Sequence, residues 1–116
     1  MKVLKDLDEV FAYIWEELEV ICKDIKEKSV EQWADTDRGV QRWTETELVD
    51  APEQVEIEFI YNKADTDDLI ETIYAALEDY RYYFTNCEVR ARLLALEMNK
   101  DVDGQVKLII GLDYSY

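Results

Sequence analysis

The chain has 116 residues, enough for one domain and one hydrophobic core, and 48% of them are hydrophobic, which argues against global disorder. Its 28 acidic and 13 basic side chains give a formal charge of −15, a surface repelled by nucleic acid and anionic lipid and attracted to basic partners. The apolar runs are too short for a spanning helix, no signal peptide is visible and two cysteines are too few for a disulfide framework, so the expectation is a cytoplasmic protein with reduced thiols.

From Val3 to Ile25 apolar residues recur in steps of three and four, through Val10, Ile14, Leu18 and Cys22. This spacing predicts a long amphipathic helix whose other face carries Asp8, Glu9, Glu16, Glu17, Glu19 and Lys23, with Trp15 on the apolar stripe. Ser29 followed by Gln32 fits a capping box and predicts a short second helix through Trp33. Val40 to Val49 has the β-branched and aromatic content of a strand, and Asp50-Ala51-Pro52 reads as a turn. Val55, Ile57, Phe59 and Tyr61 alternate with Glu56, Glu58 and Ile60, the period of a strand with one buried face.

Asp65 or Thr66 can cap a third helix, with Asp67 and Asp68 in its first turn and Leu69, Ile70, Ile73, Leu77, Tyr80 and Phe84 on its apolar face. Cys87 to Met98 reads as a strand because the turn signal Asp103-Gly104 and the alternation Val106, Leu108, Ile110, Leu112 follow it. The predicted fold is a single α+β domain spanning residues 1–116. Two antiparallel hairpins join into a sheet of about four strands, covered on one face by two long helices.

The residues that most catalysis needs are missing. There is no histidine, which removes the commonest general base and metal ligand, and three separated glycines cannot build a phosphate loop. Asp101-Val102-Asp103-Gly104 resembles a piece of a calcium loop, but Lys107 and an apolar run stand where further oxygen ligands are needed, so a hairpin turn is the simpler reading. Adjacent carboxylates such as Asp67 and Asp68 or Glu16 and Glu17 lie on one solvated helix face rather than across a cleft. The chain is therefore expected to bind rather than catalyse, with no cofactor and no metal.

Charge is distributed unevenly. Residues 1–28 carry −3, residues 29–62 carry −7, residues 63–86 carry −4 and residues 87–116 carry −1. From Glu45 to Glu58 six acids, Glu45, Glu47, Asp50, Glu53, Glu56 and Glu58, occur with no Lys or Arg between them, and Asp65, Asp67 and Asp68 follow. On strands, Glu45 with Glu47 and Glu56 with Glu58 each project from one face about 6.7 Å apart, while duplex DNA carries a phosphate every ~3.4 Å of axis per strand. Such rows can approximate DNA to a basic groove, although acids on an outer sheet face also serve solubility. Trp43, inside the acidic segment beside Arg42, is the aromatic residue best placed for a contact surface.

In length, acidity, α+β pattern and this carboxylate-dense stretch the chain resembles the small acidic bacterial DNA-mimic proteins, in particular the neisserial type that occupies the DNA-binding face of the histone-like protein HU. The resemblance implies competition with DNA for a basic DNA-binding protein, without direct binding of nucleic acid or membrane, by what is expected to be a monomer. The candidate partner-binding residues are Trp43, Glu45, Glu47, Asp50, Glu53, Glu56, Glu58, Asp65, Asp67 and Asp68. The alternative is an immunity protein or antitoxin that plugs the basic active site of one nuclease; a third is a homo-oligomeric subunit.

Overall fold

The computed structural model describes residues 1–35, 42–63, 66–84 and 87–115; of residues 30–35, 42–46 and 66 it describes the backbone alone. The described residues form β1 (Val3–Leu4), α1 (Leu7–Lys28), β2 (Val30–Asp35), β3 (Arg42–Glu47), β4 (Gln54–Tyr61), α2 (Thr66–Glu78), β5 (Arg81–Phe84), β6 (Cys87–Met98) and β7 (Gln105–Ser115).

Helix α1 starts later than the apolar period suggests. Asp6 is extended and its carboxylate accepts the Glu9 amide at 2.8 Å, while Glu9 accepts the Lys5 amide at 2.7 Å. This reciprocal pair satisfies amide donors at the helix entrance and leaves Val3 and Leu4 extended. They pair in parallel with Ile60 and Tyr61, and the Ile60 amide donates to the Lys2 carbonyl at 2.8 Å. Val10, Ile14, Leu18, Cys22 and Ile25 are buried, and the i,i+4 pairs Glu19–Lys23 and Asp24–Lys28, each 3.0 Å, line the wet face.

The expected second helix is instead a strand. Ser29 ends α1: its amide donates to the Ile25 and Lys26 carbonyls and its hydroxyl to the Lys26 carbonyl, so it cannot open a new helix. Val30–Asp35 pairs antiparallel with Arg42–Glu47, from Val30 opposite Glu47 to Asp35 opposite Arg42, in a separate two-stranded sheet. This corrects the expected topology, in which the strands before and after Pro52 formed one hairpin. Residues 40 and 41 of the expected strand lie outside the described residues.

The main sheet has five strands rather than about four, in the order β1-β4-β7-β6-β5, and is mixed because β1 runs parallel to β4. Its alternation is regular: Ile57, Phe59, Val106, Leu108, Ile110, Val89 and Ala91 are buried on the face that α1 and α2 cover. α1 packs against β1, β4 and β5, and α2 against β6, so the sheet curls around the long helix. α2 stops at Glu78. The Arg81 guanidinium caps it by donating to the Glu78 and Tyr80 carbonyls at 2.7 Å, and Phe84 lies on β5, so neither Tyr80 nor Phe84 extends the α2 stripe as expected.

Gly104, at φ 77°, turns the chain between β6 and β7, and Asp101 and Asp103 belong to that turn. Asp50 also adopts a left-handed φ of 54° at the turn before Pro52. Tyr114 anchors this turn by donating to the Pro52 carbonyl, and its partial burial pushes the phenol pKa up to about 12. Cys22 and Cys87 are free and buried.

Candidate acidic interface

Two contacts fix how the helices lie. At their beginnings, Leu7 of α1 shares a shallow hollow with Asp68, Leu69 and Thr72 of α2. Farther along, Trp15 stacks on Tyr80 with ring centroids 5.4 Å apart and planes 9° from parallel, and the Tyr80 hydroxyl donates to Cys22 Sγ at 3.6 Å. Burial raises the pKa values of both the Tyr80 phenol and the Cys22 thiol. The two helices therefore run side by side in the same direction, with their outward faces turned from the sheet.

Those faces are acidic. Residues 6–22 contain Asp6, Asp8, Glu9, Glu16, Glu17 and Glu19 and no Lys or Arg; residues 64–80 contain Asp65, Asp67, Asp68, Glu71, Glu78 and Asp79 and again no Lys or Arg. Asp8, Glu9, Glu16 and Glu19 are exposed on α1, and Asp67, Asp68, Glu71 and Glu78 on α2, with Tyr74 half-exposed among the latter. Acids in both first turns also favour the helix dipole.

The expected site residues are divided by this architecture. Asp67 and Asp68 belong to the helical layer, whereas Glu56 and Glu58 share the opposite, uncovered face of the sheet, as their spacing predicted. There they do not form a purely anionic row: Lys107 of β7 stands opposite Glu58 and bonds Glu56 at 3.4 Å. Glu47, Asp50 and Glu53 are exposed around the turn that leads into β4, where the Glu53 carbonyl accepts the Leu112 amide at 2.9 Å. Glu45 and Trp43 are on β3 with side chains outside the described residues, and Asp65 lies outside them altogether.

The candidate set therefore omits most of the helical acids: Asp8, Glu9, Glu16 and Glu19 on α1, and Glu71, Glu78 and Asp79 at and just beyond α2. Their signal was the lack of cations over two 17-residue stretches rather than acid density. Among the described residues no cluster of acids and thiols is suited to a metal, and no helix is long and apolar enough to cross a membrane. Compared with known protein families, curated proteins and solved structures, the chain matches none.

Proposed function

We propose that this protein is a DNA mimic that binds a basic DNA-binding protein, such as the histone-like protein HU, and competes with DNA for it. The observation that carries the reading is the pair of adjacent, parallel helices whose outward faces are rich in acids, with no Lys or Arg over residues 6–22 and 64–80 and with Lys23, just beyond the first stretch, paired to Glu19. Along a helix, carboxylates one turn apart are separated by about 5.4 Å, against a phosphate every ~3.4 Å along each DNA strand. A basic groove would therefore meet two rigid rows of negative charge. In this reading Asp67 and Asp68 stay in the interface together with Glu71, Glu78, Glu16 and Glu19, while Glu56 and Glu58, on the opposite face beside Lys107, do not.

The test is binding to purified HU by fluorescence anisotropy, with duplex DNA as competitor. The fourfold substitution D67N/D68N/E71Q/E78Q should weaken binding by about tenfold or more, since each exposed charge contributes only a few tenths of a kcal/mol. E56Q/E58Q should leave binding within about twofold, and added salt should weaken the wild type. Binding indifferent to salt and to the helical substitutions would sink the reading. Inhibition of a nuclease without displacement of DNA from HU would favour the immunity-protein alternative.

A further inference from the structure

The uncovered face of the five-stranded sheet differs from the rest of the surface. It carries four cations, Arg81, Arg90, Arg92 and Lys107, and five carboxylates, Glu56, Glu58, Glu88, Glu97 and Asp113, so its net charge is −1 in a chain of −15. It is also polarised along the strands. The rows of Arg90 opposite Asp113 and Arg92 opposite Gly111 make one end cationic, with Arg81 and Arg90 both 3.0 Å from Glu88. About 20 Å away, six residues along β7, Lys107 lies between Glu58 and Glu97 on the neighbouring strands and bonds Glu56. Among the described residues Arg92 is held only by a 3.6 Å pair with Asp113, and neither Glu58 nor Glu97 is ion-paired.

A waist that is apolar on β6 and β7, with Glu56 at its β4 end, separates the two ends. β6 shifts register between Leu93 and Ala95, and the extra residue, Leu94, turns outward. Its methyl groups lie 3.2 and 3.3 Å from where a Cβ would stand on Gly111, so the missing side chain at Gly111 is what lets Leu94 lie flat on the sheet beside Ala95 and Ile109. Leu94 remains 45% exposed.

We infer that this face is the interface of a homodimer in which two copies stack sheet to sheet about a two-fold axis that crosses the strands at the Leu94 waist. That operation lays β6 on β6 with reversed direction, so that Arg90 and Arg92 of one copy meet the Glu97 end of the other and the exchange is reciprocal, as a two-fold interface requires. The 37 residues of the five strands, at about 3.3 Å each and about 4.8 Å between strands, offer about 600 Å² per copy, at the lower end of the ~600–1,000 Å² per partner of a standard interface. This is also the face through which two chains of −15 approach with little repulsion, and stacking on it leaves both acidic helical layers outward.

Sedimentation velocity at about 100 µM and ~0.15 M salt tests the inference. The wild type should sediment at twice the chain mass of 13.8 kDa. Leu94→Asp should raise the dimer dissociation constant at least about tenfold, with an unchanged circular dichroism spectrum. R92E and E97R should each weaken the dimer, and the double variant R92E/E97R, which exchanges the two ends, should restore it. A wild type that stays monomeric overturns the inference and leaves the face to an unlike partner. A dimer indifferent to Leu94→Asp and to both charge reversals overturns it too, by moving the interface elsewhere.

Discussion

Gly104 carries the turn on which the sheet depends. At φ 77° a side chain is strained, and a Cβ there would collide with the Asn62 side chain and sit 3.0 Å from its Cα, while the Gly104 carbonyl accepts the Tyr61 amide at 2.7 Å. Gly104→Ala should therefore cost about 1–3 kcal/mol, read as a lower denaturant midpoint at unchanged m-value; an unchanged midpoint would mean that the turn relaxes elsewhere. This residue was legible in the sequence because Asp103-Gly104 is a local signal. Leu94 was not, because its outward turn depends on a register shift between β6 and β7 that alternation along one strand does not reveal. Tyr80 was misread for a similar reason: it keeps the α2 period but has left the helix to stack on Trp15.

At the scale of elements, patterning identified α1, β4, α2, β6 and β7, since each buries one face and repeats with its own period. Patterning also found the strand that became β3, but it read β2 as a helix and passed over β1 and β5; the other errors fall at ends and pairings. The capping pair that opens a helix in the first 35 residues is Asp6 with Glu9, which the sequence reading passed over, and not Ser29 with Gln32. Asp6→Ala should cost about 1 kcal/mol and speed amide exchange selectively in the first turn of α1; uniform exchange changes across the chain would contradict a capping role. The strand Val30–Asp35 lacks a clean alternation of its own, and its conformation comes from pairing with Arg42–Glu47.

At the scale of the whole molecule, charge counted along the chain misjudged charge on the surface. Residues 29–62 hold −7, yet Glu56 and Glu58 are offset by Lys107, a neighbour supplied by the distant β7. The helical layer is compensated less, with Lys23 paired to Glu19 and Lys28 to Asp24, so its remaining self-repulsion opposes folding. Raising salt from about 0.02 to 0.5 M should raise the melting temperature of the dilute L94D variant by about 2–5 °C; a flat or falling midpoint would mean that favourable pairs outweigh the repulsion. The sheet order has a kinetic consequence as well. β7 follows every other strand in the chain yet lies in the middle of the sheet, hydrogen-bonded to β4 on one side and β6 on the other. Before β7 is in place, β1 with β4 and β5 with β6 are two unconnected pairs, each with an edge where β7 belongs. Insertion of that strand is then the step that joins the two halves, through β4–β7 partners 45 to 57 residues apart in sequence, so refolding should be all-or-none and slow for a chain of this length.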